Sequence, residues 1–215
     1  MKLPILTASF VFVATAAAAS SFQVTLDTSP LIGPQTIGFA LSNFDSASNS
    51  VSLSAFDFYL GSVVSGSQDC TIGGSISGTG CGGDLSTAIT LEDAEPFAFF
   101  TQQFNPGSSL SFTVTTTNSF SGDIPDAFGM FVCDGNVVTC YSDDPSGAML
   151  LLDLSGGPLS PTSFVTFAAT EHGLSAPVVT AVGPGPDPAP VPEPGTLLLL
   201  SGGLIVMVRR GWQKS

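Results

Sequence analysis

Between Lys2 and Arg209 this chain of 215 residues contains no lysine and no arginine. All seventeen acidic residues, from Asp27 to Glu193, lie in that interval. The four basic residues are Lys2, Arg209, Arg210 and Lys214, and His172 is the single histidine. An interior with anions and no cations cannot form lysine or arginine salt bridges. It must be held by apolar burial, backbone hydrogen bonds, cysteine cross-links or bound cations. The same balance excludes partners. Nucleic-acid binding depends on Lys and Arg neutralising phosphates, and an anionic lipid surface or acidic substrate is repelled.

Seventeen phenylalanines and only 10% charged residues argue against disorder. From Ser21 to about Thr170 the dominant period is two. Phe22, Val24 and Leu26 alternate with Gln23, Thr25 and Asp27; Leu110, Phe112 and Val114 alternate with Ser111, Thr113 and Thr115; Phe128, Met130 and Val132 repeat the pattern. This is the signature of half-buried strands. Further strands are expected over 37–44, 51–60, 88–91, 96–104, 148–154 and 163–169. In 51–60 the apolar phase slips, because Val51, Leu53 and Ala55 are followed by Phe56 and Phe58. One extra residue there predicts a β-bulge. Short strands between Gly, Pro, Asn and Ser clusters predict an all-β chain, a single antiparallel β-sandwich or jelly-roll-like domain. No helix of normal length is expected in the body.

The cysteines form two local pairs, Cys70/Cys81 and Cys133/Cys140. The spacing is not CxxC and no histidine is near, which argues against zinc. In an exported chain two disulfides are expected. Three pairings are formally open, and the local one is preferred. Asp134-Gly135 is a hairpin-turn dipeptide that lets Cys133 face Cys140. Each local bridge is worth roughly 2–3 kcal/mol by loop entropy.

Residues 1–19 read as a signal helix: Lys2, a mostly apolar run from Leu3 to Ala14, then Ala16–Ala19 as the small-residue cleavage site. The body is placed at 20–175, with Ser175 to Val182 read as either a last strand or extended tail. A Pro/Gly-rich linker spans 176–190. Residues 191–215 carry Val191-Pro192-Glu193-Pro194-Gly195, an uncharged apolar run, and Arg209-Arg210. The twelve residues of 197–208 make about 18 Å of helix, short of the usual span, whereas 195–212 is nearly long enough. A short C-terminal transmembrane helix is therefore expected, with Trp212 at an interface. The positive-inside rule keeps Lys2 and the arginine pair inside and loops the acidic body outside.

Pro192, Glu193 and Pro194, the apolar run, and Arg209 with Arg210 resemble the PEP-CTERM sorting signal of Gram-negative bacteria, a tail also called the ice-binding protein C-terminal domain. The resemblance covers about the last 25 residues of the chain. It implies a Sec-exported protein, cut by signal peptidase at one end and by an exosortase near Pro-Glu-Pro at the other. It also implies transient anchoring in the inner membrane, then delivery to the cell surface or outside, in a cell producing exopolysaccharide or biofilm. The start of the body, Phe22 to Pro30, resembles that of other exported PEP-CTERM proteins with no assigned activity.

No residue set announces catalysis. His172, in Glu171-His172-Gly173, would have to serve any Ser-His-Asp triad, yet no G-x-S-x-G elbow supplies a partner. It is expected to be a solvated loop histidine, and no catalytic residue is assigned. Gly78-Thr79-Gly80-Cys81-Gly82-Gly83 matches G-x-G-x-x-G, but no helix follows and no basic residue assists. It is expected to be a disulfide-tied loop. Glu92/Asp93/Glu95, Asp123/Asp126 and Asp143/Asp144 pair carboxylates, which would suit calcium or a glycosidase mechanism. Solvated loop acids are the plainer reading, and no cofactor or metal ligand is assigned. Thr113-Val114-Thr115-Thr116-Thr117 raises an ice-binding face, which needs threonines in register on several strands. The expectation is a non-enzymatic surface or matrix protein, structural or adhesive. The alternatives are a carbohydrate-binding module associating with extracellular polysaccharide, or a hydrolase using acidic residues. Tyr59, Tyr141 and Trp212 are the only polar aromatics for a sugar platform.

Overall fold

The computed structural model describes residues 19–44, 49–72, 75–76, 80–92, 97–117, 124–135, 139–154 and 163–182. The expected signal helix, apart from Ala19, and the expected transmembrane helix lie outside the described residues. Among the described residues no helix is long and apolar enough to cross a membrane; the helical element there is a 3-10 turn, Thr170–His172. The chain divides into residues 1–181 and 182–215, and Val182 alone is described in the second unit.

The strands are β1 (Ala19–Asp27), β2 (Gln35–Ser42), β3 (Ser50–Asp57), β4 (Ser62–Val63), β5 (Asp69–Ile72), β6 (Ser75–Ile76) and β7 (Cys81–Gly83). They continue as β8 (Ala88–Glu92), β9 (Phe97–Asn105), β10 (Ser109–Thr117), β11 (Ala127–Asp134), β12 (Leu150–Asp153), β13 (Ser163–Thr166) and β14 (Val178–Val182). They form two sheets, as the alternation predicts. The first runs β14-β1-β10-β3-β8-β7; the second runs β13-β12-β11-β2-β9-β5-β6, with β4 also on β9. The chain crosses between sheets at β1–β2, β2–β3, β3–β4, β6–β7, β8–β9, β9–β10, β10–β11 and β13–β14, whereas β5–β6, β7–β8, β11–β12 and β12–β13 pair as sequence neighbours. β1 lies antiparallel to β10, and β2 lies antiparallel between β9 and β11.

The alternation sets which side chains enter the core. Phe22, Val24 and Leu26 on β1 stand opposite Val114, Phe112 and Leu110 on β10. All six are buried, facing Ile37, Phe39 and Leu41 of β2 and Phe128, Met130 and Val132 of β11. Phe39 binds the sheets together: its ring centroid lies 5.4 Å from Phe112 across the core and 6.1 Å from Phe128 beside it. Such aromatic pairs contribute about 0.5–1.5 kcal/mol each beyond their burial. β1 ends where Ser29 N–H turns to Asp27 Oδ1, 3.0 Å away, and Pro30 offers no amide to continue the ladder.

The expected bulge is present. On β10, Ser111 and Thr113 stand opposite Asp57 and Ser54 of β3, so β3 carries one extra residue. Ala55 takes it up at φ 54°. Beyond it Phe56 and Phe58 pack on the core. The strand stops at Asp57, short of the expected Leu60, which instead sits in a turn at φ 64°.

Both local disulfides form. Cys133 and Cys140 face each other as an antiparallel bridge, as the Asp-Gly turn predicts. Cys70–Cys81 does more than close a loop: it joins β5 in one sheet to β7 in the other. β14 lies past residue 175, in the segment read as linker, and adds a strand beside β1. The strand reading of Ser175 to Val182 is the one the sheet realises over Val178–Val182.

Candidate functional site

Pro192, Glu193, Pro194, Arg209 and Arg210 lie outside the described residues, so no geometry attaches to them. The body offers a cleft, several carboxylates and two outer sheet faces.

The cleft, about 390 Å³ and open to solvent, lies between the Cys133–Cys140 hairpin and the 3-10 turn. Thr139, Ser142, Asp143, Thr170, Glu171 and His172 line it. The His172 ring lies 4.1 Å from that of Tyr141. Tyr141 is held from behind: its hydroxyl donates to Gln35 Oε1 at 2.9 Å, and Gln35 Nε2 donates to the carbonyls of Ile32 and Gly33. Burial, and then the negative charge of Asp134, push the Tyr141 hydroxyl above its ordinary pKa. The neighbouring serine and aspartate do not assemble on the histidine. Ser142 Oγ donates to the Ala148 carbonyl at 2.6 Å and accepts from Asp144 N–H. Asp143 Oδ1 accepts from Thr170 N–H and Oγ1 at 3.0 and 3.1 Å. These side chains brace the turn that carries His172, which is exposed as expected.

The paired carboxylates separate into local roles. Asp144 accepts from Ser146 N–H and Oγ, a turn contact. Asp126 is fully buried: Oδ1 accepts from Phe44 N–H at 2.8 Å and Oδ2 from Asn49 Nδ2 at 2.7 Å. It ties the chain leaving β2 to the chain entering β3. Asp93, Glu95 and Asp123 lie outside the described residues. Among the described residues no three metal-ligating side chains gather. Of the glycine-rich stretch, Gly80 is a bend, and Cys81, Gly82 and Gly83 are strand and not loop, pairing with Leu91, Thr90 and Ile89. Gly83 is required there, since it sits at φ 116° and a Cβ would lie 2.0 Å from the Ala88 carbonyl oxygen.

The outer face of the first sheet is a ladder of hydroxyls. Ser21 stands opposite Thr115, Thr115 opposite Ser52, and Ser52 opposite Thr90. The Ser21 and Thr115 hydroxyls are 3.0 Å apart. Thr115 of β10 thus lies in one row with Ser21, Ser52 and Thr90 of three other strands, a juxtaposition that reading one strand could not supply. The outer face of the second sheet is different. Phe97 and Phe99 of β9 and Phe131 of β11 alternate with core residues and point away from the core, each half-buried. Phe97 and Phe99 lie 5.8 Å apart, and Phe99 and Phe131 meet edge to face at 6.1 Å. The Phe99 ring reaches over Gly38 of β2, where a Cβ would come within 3.0 Å. These phenylalanines, and not a tyrosine or tryptophan, form the aromatic surface of this sheet. Their signal was the run Phe97-Ala98-Phe99-Phe100, apolar on both faces of a strand.

No curated protein and no solved structure gives a significant match to this chain. The PEP-CTERM protein-sorting motif matches over residues 190–211. That stretch holds the Pro-Glu-Pro tripeptide and the arginine pair, so this chain carries a C-terminal PEP-CTERM sorting signal behind an acidic, two-sheet body.

Proposed function

We propose that this is an exported cargo protein, cut by signal peptidase near Ala19 and by an exosortase near Pro192-Glu193-Pro194. Its body then serves, without catalysis, as a structural or adhesive component of the cell surface or extracellular matrix. The observation that carries the reading is the sorting motif at residues 190–211. The charge distribution supports it: every lysine and arginine lies in the terminal segments that export would remove. What remains is acidic, cross-linked by two disulfides, and covered on one face by registered hydroxyls. Such a body resists proteolysis by cross-linking and stays hydrated outside the cell.

Mass spectrometry of the protein from producing cells tests this. The released form should lack the residues following the Pro-Glu-Pro region. Pro192→Ala with Glu193→Ala should leave an uncut, membrane-bound form. Trp212 retained in the released protein defeats the proposal. A second reading, binding of a neutral polysaccharide, is favoured by the Phe97/Phe99/Phe131 cluster, because phenyl rings stack on the apolar faces of sugar rings. A glycan array separates the two, and Phe99→Ala should abolish any binding found there.

A further inference from the structure

The two sides of the body are finished differently. On one side Cys70–Cys81 staples β5 to β7. On the other, among the described residues, the sheets end in β13 and β14, and neither strand has a charged residue. The Phe22–Phe164 ring contact, 6.2 Å between centroids, shows that β13 lies across from β1, so both edges belong to one side. Natural edge strands are normally blunted by lysine, proline or an inward charge, because their free N–H and C=O groups template another strand. β14 reads Val178-Val179-Thr180-Ala181-Val182, with high β-propensity and no such device. Val178 is 64% exposed and Val182 is 45% exposed, whereas Val179 packs on the core. Alternation then puts Val178, Thr180 and Val182 on the outer face of the first sheet.

We propose that β14 pairs edge to edge with β14 of a second copy of this chain, antiparallel about Thr180, so that two six-stranded sheets become one. The sequence of the strand selects a second copy over an unrelated partner. Antiparallel self-pairing centred on residue 180 sets Thr180 against its own equivalent, Val178 against Val182 of the second copy, and Val179 against its Ala181. Every apolar residue meets an apolar one, and the two exposed valines meet each other. Cross-strand β-branched pairs and a threonine pair are favourable contacts in a sheet. Charge points the same way. A body with fifteen acids, from Asp27 to Glu171, and no Lys or Arg repels its own copy over most of its surface. From Gly173 to Pro186 no acidic residue occurs, so β14 lies in an uncharged seam. A backbone seam of this kind needs no cation, and it strengthens as salt screens the two bodies from each other. It also lengthens the hydroxyl ladder, since Thr180 shares that face. The inference stands apart from the sorting proposal, because it concerns the body alone.

The test uses the full-length chain in mild detergent, with cysteine substitutions and gentle oxidation. Directly opposed residues of an antiparallel pair lie about 4.5–5.5 Å apart at Cα, within disulfide reach. Thr180→Cys should therefore give a reducible species of twice the monomer mass. Thr25→Cys, on the same face of the sheet but on β1, should not. Adding Val178→Lys and Val182→Lys to Thr180→Cys should abolish the cross-link while leaving the melting transition in place. The proposal is overturned if Thr180→Cys stays monomeric, if Thr25→Cys cross-links as well as Thr180→Cys, or if the cross-link survives the two lysines.

Discussion

Gln102 should be the most informative side chain to replace. It points into the core from β9, between Phe100 and Phe104, and is fully buried. Its Oε1 accepts from the buried Leu85 N–H at 2.8 Å, and its Nε2 donates to Asp84 Oδ2 at 2.9 Å. One amide thus ties the turn between β7 and β8, in the first sheet, to the centre of the second. Gln102→Met keeps the volume and removes both bonds. The Leu85 N–H is then buried without an acceptor, which costs about 1–3 kcal/mol, offset in part by a more apolar side chain. A net loss of about 2 kcal/mol lowers the melting temperature by roughly 4–8 °C in a domain of this size. Urea unfolding of the processed protein measures it, and a loss below about 0.5 kcal/mol, the range of ordinary surface changes, would refute the reasoning.

Gln102→Glu sharpens the same prediction through pH. Asp84 is held below its ordinary value by the Ser86 hydroxyl first, then by Ser86 N–H and the Gln102 amide. A lowered carboxylate adds stability that is present above the unfolded value and is lost as pH falls through the folded one. In the native protein that loss therefore falls below about pH 4. A second carboxylate at position 102 would face Asp84 across the same gap. It should destabilise most at neutral pH, and the deficit should shrink on acidification as one of the two takes up a proton. A deficit independent of pH would mean that the two side chains do not meet.

Other outcomes follow from the same structure. Thr36 is buried at 2% exposure and its hydroxyl has no hydrogen-bond partner, so Thr36→Val should raise stability by about 1 kcal/mol, and a drop in urea midpoint would count against it. With no lysine or arginine in the body, screening can relieve only repulsion, so the melting temperature should climb steadily as the Debye length shortens from about 30 to about 3 Å, and a fall would reveal ion pairing. Loop entropy assigns about 2.8 kcal/mol to Cys70–Cys81 and about 2.4 to Cys133–Cys140 from their separations of 11 and 7 residues. Replacing Cys70 and Cys81 by serine should in addition expose the amides of β7 to hydrogen exchange, because that bridge holds a three-residue strand; unchanged protection there would show that the ladder to β8 suffices.

Much of the local structure could be read from residues alone. Period two marked β1, β10 and β11, because every second residue there is apolar and enters the core. The slip after Ala55 marked the bulge, since an extra residue must change the phase of everything after it. The two cysteine pairs were close enough in sequence for the local pairing to be preferred. Gln102 was harder: a polar residue in an apolar stripe has a reason only when the turn at Asp84 and Leu85 is brought against it. The hydroxyl ladder likewise exists only once β1, β10, β3 and β8 lie side by side. Asp126 looked like one of a surface carboxylate pair, yet its backbone and side-chain donors come from the chain around Phe44 and Asn49, some eighty residues earlier.

By itself, then, the sequence determined the all-β class, which side chains face inward, the absence of lysine and arginine from the body and the sorting signal at the C-terminus. These depend on alternation, composition and a contiguous motif, all of which are local. The tertiary structure alone decided which strands are neighbours, and so which residues share a face, which bridge joins two sheets, and that β14 closes one edge without a charge. Alternation says which side of a strand is apolar but is silent on the partner strand. Where the chain crosses from sheet to sheet, as it does from β1 to β4 and from β8 to β11, that choice is made by packing in the core and not by proximity along the chain.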